Sequence, residues 1–214
     1  MFARQLRLLI LGALLLGVAS GPSAAQQDDP QGDPGAFLKA LSEAAIEQLG
    51  ETGVDPKERQ QRFTRLLEAN FDMPAISRFV LGVHARKASE AERAEFLAVF
   101  KEVLSQRFLP YFHDQQGEAF AVDGIKPDPT NPKLTLILSK IVIAGDTTLA
   151  VAWRVRKSGD SYKIFDVVAE GVSLAITFRS EYAAVLKRSG GDVAALTADL
   201  RGKLERGGFA PATN

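Results

Sequence analysis

Three stretches with different apolar periods follow one another along this 214-residue chain, and their order constrains the fold more than any other feature. The first half carries helix punctuation. Asp33-Pro34 and Asp55-Pro56 each set a capping side chain just before a proline at the first helical position, and Asp55 with Glu58 has capping-box spacing. These signals predict helices over about 35–49 and 56–70. A third opens in FDMPAISRFVLG, with Asp72 as N-cap and Gly82 as its stop, and a fourth opens at Ser89, whose partner in a second capping box is Glu92. The fourth helix carries Phe96, Phe100, Val103, Leu104, Phe108, Tyr111 and Phe112 at steps of three and four, which makes one continuous apolar stripe. Pro110 ends or kinks it.

The period then falls to two. KLTLILSKIVIAG and TTLAVAWRVR are β-branched and alternating around Gly145-Asp146, and SYKIFDVVAEG follows the turn Ser158-Gly159-Asp160. EAFAVDGI is a candidate first strand. In TTLAVAWRVR, Leu149, Val151, Trp153 and Val155 share one face, while Ala150, Ala152, Arg154 and Arg156 share the other. Helical spacing returns over about 173–188 and 192–205, divided by Gly190-Gly191 and restarted by Asp192 as N-cap. Helices, then an antiparallel meander, then helices predict an α+β domain in which one curved antiparallel sheet of about four strands is covered by helices.

The N-terminus carries Arg4 and Arg7 without an acid, then LLILGALLLGV, which is too short to span a bilayer. With Ser23-Ala24-Ala25 as a small-x-small cleavage site, residues 1–25 read as a secretory signal peptide and Gln26 as the mature start. The polar, Gly- and Pro-rich QQDDPQGDPG at 26–35 reads as a flexible linker, and 36–207 as a single domain. The chain has no cysteine, so the exported protein has neither a disulfide framework nor a site for a lipid anchor at the cleavage point. Removing Arg4 and Arg7 leaves 24 basic against 26 acidic residues, a balance that offers no attraction to nucleic acid.

Reactive chemistry is sparse. Gly171-Val172-Ser173-Leu174-Ala175 approaches the G-x-S-x-G elbow at a strand-to-helix turn, but both histidines, His84 and His113, precede the serine, the reverse of the order that elbow requires. Ser173 is therefore read as a helix N-cap, with Glu170 near the positive end of the helix dipole. The carboxylates Asp166 and Glu170 are read as ion-pair partners of Arg154, Arg156 and Arg179. No carboxylates cluster at metal-ligand spacing, and no phosphate loop or dinucleotide fingerprint is present. The expectation is a protein that is not an enzyme, with no metal and no cofactor.

FDMPAISRFVLG, KASEAERAEFLAVF and above all YKIFDVVAEGVSLAITFRSEYAAVLKRSGGDVAALTADLR resemble the toluene-tolerance, or MlaC, family of periplasmic phospholipid-binding proteins, over roughly residues 36–206. The most specific part is the order and spacing of Asp166-Val167-Val168, Glu170-Gly171-Val172-Ser173 and Arg179-Ser180-Glu181. Leu81-Gly82-Val83-His84-Ala85-Arg86 departs from it, with Ala85 where the family carries tryptophan. RFLPYFHDQQGEAF and AITFRSEYAAV are similar to a sister branch associated with hopanoid biosynthesis.

The resemblance implies a soluble periplasmic shuttle, a monomer, holding lipid by its acyl chains between the curved sheet and its helices. Its partners would be an inner-membrane ABC transporter complex and an outer-membrane lipoprotein/porin complex, and its cargo a phospholipid or, alternatively, a hopanoid. A ligand-free periplasmic adaptor is the competing class and would have a filled core. For an apolar cavity, the sheet offers Leu149, Val151, Trp153 and Val155 with Leu136, Leu138, Ile164 and Val168 as one wall. The fourth helix offers Phe100, Leu104, Phe108, Tyr111 and Phe112 as the other, and Phe79, Val80, Val172 and Leu174 are placed at the mouth.

Overall fold

A computed structural model describes residues 32–112, 119–143 and 147–210. The expected signal peptide, most of the expected linker, the Gly145-Asp146 turn and His113 lie outside the described residues. The N-terminal helices are α1 (Pro34–Gly50), α2 (Pro56–Asn70), α3 (Met73–Leu81) and α4 (Glu90–Phe108), with a 3-10 turn at Gly82–Arg86 before α4 and another at Leu109–Phe112 after it. Each helix starts where a short polar side chain takes up backbone N–H groups that the first turn leaves unpaired. Asp33 accepts from Gly35 and Ala36, Asp72 from Ala75, and Ser89 and Glu92 close a complete capping box. Asp55 caps α2 by accepting from Lys57 and Glu58, but the expected reciprocal bond is absent, because the Glu58 carboxylate instead accepts from Arg62 and Arg65. Pro110 falls in the 3-10 turn, two residues beyond the last residue of α4.

The strands β1 (Ala119–Pro127), β2 (Thr135–Ile143), β3 (Thr147–Ser158), β4 (Ser161–Ala169) and β5 (Val172–Ser173) form an antiparallel sheet in sequential order. The fifth strand, two residues long, is one more than the sequence led us to expect. Two helices complete the chain, α5 (Leu174–Arg188) and α6 (Val193–Glu205), with Ser173 and Asp192 as their N-caps.

Two cores result. In the larger, Phe96, Phe100 and Val103 of α4 are fully buried against Phe178 and Tyr182 of α5 and Leu196 and Leu200 of α6. Phe96 stacks on Phe100 at 5.6 Å, and Phe178 meets Phe100 edge-on at 5.2 Å. The smaller core is Leu38 of α1 packed on Ile137, Val155 and Ile164 of the sheet.

Candidate functional site

A cavity of about 580 Å³ is lined from both cores, a size in the ordinary range for small-molecule sites. The helix α1 contributes Leu38, Leu41, Ser42, Ala45, Ile46 and Leu49, a stripe at steps of three and four that puts all six on one face. The second helix adds Phe63, Leu66 and Leu67, and α3 adds Met73 and Ile76. Phe100, Leu104 and Phe108 project from α4, and the 3-10 turn that follows supplies Tyr111 and Phe112. Tyr111 is 59% exposed although it lines the cavity, so this turn forms part of the rim. On the sheet side stand Phe120, Ile141, Leu149, Val151, Trp153, Phe165, Val167 and Ala169, and α5 closes the wall with Leu174, Ala175 and Phe178.

Two polar side chains of this lining, Trp153 and Asp166, are committed to hydrogen bonds. Trp153 Nε1 donates to Ser139 Oγ at 2.9 Å, and the same hydroxyl donates to the Val151 carbonyl at 3.1 Å. The indole therefore presents a hydrocarbon surface without an unsatisfied N–H. Among the described residues Asp166 is the one lining residue with an ionisable side chain that is buried, and its carboxylate accepts from Arg154 Nη1 (2.7 Å), Ser173 Oγ (2.6 Å) and the Ala175 amide (3.0 Å). Such a cavity can take up hydrocarbon, and among the described residues it offers no free charge to orient a polar substrate.

The structure brings Phe100, Leu104, Phe108, Tyr111, Phe112, Leu149, Val151, Trp153 and Leu174 to this lining, and the other candidates elsewhere. Val155 and Ile164 do face the helices but fill the smaller core, and Val80 is sealed inside the larger one. Leu136 and Leu138 are on the opposite face of the sheet, since they pair with Arg154 and Ala152, while Ile137, Ser139 and Ile141 pair with Trp153, Val151 and Leu149. Both faces of β2 are apolar in sequence, and the buried Ser139 on the inner face made the wrong one look more hydrophobic. Val168 fails for another reason: a bulge at Phe165 reverses the alternation along β4, so Ile164 pairs with Val155, Val167 with Trp153, and Val168 faces outward opposite Ala152. Val172 is exposed away from the lining, and Phe79 lies behind Phe165, with ring centroids 5.7 Å apart. The contribution of α1 was missed although its stripe was readable. Its apolar positions recur as regularly as those of α4, but they are small or aliphatic where α4 is aromatic.

Ser173 Oγ accepts the Ile176 amide as it donates to Asp166, which is the geometry of a cap. Glu170 does not point its charge at the α5 N-terminus; its Oε1 accepts the Ala150 amide at 2.6 Å. Of the expected ion pairs only Arg154–Asp166 forms, since Arg156 pairs with Asp72 and the Arg179 guanidinium lies 5.1 Å over the Phe79 ring. Among the described residues no group of three or more His, Asp or Glu is placed to hold a metal, and no helix is long and apolar enough to cross a membrane.

Residues 39–202 match the family model described as MlaC protein. The toluene tolerance protein ttg2D of Pseudomonas putida is 23% identical over 140 residues, which is 65% of this chain and 64% of that protein's length. A solved structure of the phospholipid-binding protein from Ralstonia solanacearum in complex with a phospholipid has the same fold, with a TM-score of 0.70 at 18% identity over 82% of this chain and 99% of that one.

Proposed function

This chain belongs to the MlaC protein family, and from that premise we propose that it is a periplasmic lipid carrier, taking phospholipid by its acyl chains and passing it between the inner and outer membranes as part of an ABC-transporter-linked system. The observation that carries this reading is the cavity itself, apolar on every wall and with its one buried carboxylate fully bonded. A ligand-free adaptor would be expected to fill such a space, because packed interiors leave few voids larger than a water molecule. The Ralstonia solanacearum protein of the same fold was solved with a phospholipid, which agrees with the cargo proposed.

The energetics suit a carrier. A phospholipid with about thirty tail methylenes would cost on the order of 24 kcal/mol if its tails were left in water, at about 0.8 kcal/mol for each methylene. The bilayer already supplies that stabilisation, so a cavity of similar polarity lets transfer run in either direction with little net driving force. No catalytic group is needed, and Ser173 acts as a cap.

Ala45, small and half-buried on the cavity face of α1, is the place to test this. Ala45→Trp puts an indole into the space proposed for the tails. Co-purified phospholipid, measured by mass spectrometry after solvent extraction, should fall roughly tenfold while the thermal melt remains cooperative, since tenfold is the effect of about 1.4 kcal/mol of lost affinity. Unchanged lipid content in a folded Ala45→Trp protein would contradict tail binding in this cavity.

A further inference from the structure

On the far side of the Phe79–Phe165 pair from the apolar cavity lies a second concavity, of about 650 Å³, lined by Arg78, Phe79, Gly82, Val83, Ala85, Arg86, Arg93 and Arg179. Its composition is unlike the rest of the surface. Four guanidinium groups converge from α3, the 3-10 turn, α4 and α5, and no carboxylate is among the lining residues. Arg93 is tied down, donating to the carbonyls of Ala85 and Ala88. Arg78, Arg86 and Arg179 make no ion pair with any described residue, whereas Arg62, Arg65, Arg107, Arg154, Arg156 and Arg201 are each paired with a carboxylate. The unpaired positive charge is local, because the chain as a whole is neutral.

The floor between these arginines is apolar. Val83 is 55% exposed there, and the Phe79 ring carries the Arg179 guanidinium on its face, a stacking that holds the planar fork in place. Gly82, at φ +59°, is part of this floor, and a Cβ on it would come within 3.2 Å of Arg179 Nη2.

We infer that this cleft is a docking site for an acidic, partly apolar segment of a partner protein, its carboxylates meeting Arg78, Arg86 and Arg179 and an apolar side chain resting on Phe79 and Val83. Charge complementarity sets the sign of the partner, and bidentate guanidinium–carboxylate pairing sets its chemistry. The mixed lining favours a peptide segment, since a lone phosphate would leave the apolar floor of Phe79 and Val83 unused. The inference concerns a surface separate from the cavity, so it stands whether or not that cavity holds lipid.

The probe is a fluorescein-labelled peptide of alternating glutamate and leucine, titrated with the purified full-length mature protein at low ionic strength and followed by fluorescence anisotropy. Saturable binding that weakens with added salt is expected, and the double variant Arg78→Gln/Arg86→Gln should bind roughly tenfold more weakly. Both positions are exposed and unpaired, so the variant should keep the wild-type melt and its co-purified lipid. Val83→Ser should weaken binding with no change in its salt dependence. Equal binding by the double variant, equal binding of a lysine–leucine peptide, or full displacement by equimolar inorganic phosphate would each overturn the proposal. So would arginine-dependent binding of phosphatidylglycerol vesicles by a protein that ignores the peptide. Wild-type protein that binds the peptide in this way but releases no lipid on solvent extraction would count against the carrier reading alone.

Discussion

At the residue scale, Arg154 joins two buried carboxylates, Asp128 and Asp166. Its Nε donates to Asp128 at 2.7 Å and its Nη1 to Asp166 at 2.7 Å, so one side chain on β3 ties the loop after β1 to β4, and the Asp166 carboxylate in turn accepts the Ala175 amide of α5. Both carboxylates are buried. Arg154→Met would leave them without a counter-charge, and urea denaturation at neutral pH should show a loss of about 3 kcal/mol. Asp128 also gives the network a pH signature. Burial alone would raise its pKa, but hydrogen bonds from Thr130, Arg154 and the Asn131 amide outweigh that and bring it down to about 2. Because the folded value is below the unfolded 3.8, the ionised form favours folding; this contribution is complete above about pH 4 and is lost as pH falls through about 2. The stability gap between the wild type and Asp128→Asn, from urea midpoints, should therefore be wide at pH 6 and nearly closed at pH 2. A gap that is constant over that range would show that Asp128 does not depend on its charge.

At the element scale, the junction between α5 and α6 illustrates a demand that only glycine meets. Gly191 has φ +91°, and a Cβ there would lie 2.5 Å from His84 Nδ1 on the neighbouring 3-10 turn. Gly191→Ala should cost about 2 kcal/mol, from strain and overpacking together, visible as a lowered midpoint in thermal denaturation; an unchanged midpoint would mean that the junction can relax. Most helix boundaries were legible in the sequence because caps are local chemistry: Asp33, Asp55, Asp72, Ser89, Ser173 and Asp192 each bond to amides two or three residues on. The meander was legible from alternation and turns. The facing of its strands was not, because that is a pairing property. Phe165 adds one residue to β4 and shifts every later side chain to the other face, a change that no periodicity within β4 reveals. On β2, apolar residues on both faces left the choice to the partner strand, and Ser139 is buried only because Trp153 and the Val151 carbonyl satisfy its hydroxyl. The aromatic wall on α4 is legible as a stripe, while its division into core (Phe96, Val103), lining (Phe108) and residues that serve as both (Phe100, Leu104) depends on where α1 and α6 lie.

At the scale of the whole molecule, two cores with an apolar space between them are an unusual way to use hydrocarbon. A chain that could close the gap would gain dispersion contacts on every wall. Keeping it open leaves α1, α2, the rim turn at Leu109–Phe112 and the sheet around a space that a lipid tail can complete. The proposed carrier function therefore stands or falls on what occupies the cavity when the protein is made in a cell. The most direct measurement is native mass spectrometry of the full 214-residue chain, expressed in a Gram-negative host and purified without detergent, followed by solvent extraction and identification of what is released. A protein mass increased by one diacyl phospholipid is the predicted result. A bare protein mass, repeated under gentle ionisation, would contradict a lipid carrier, and a released hopanoid would contradict the phospholipid cargo.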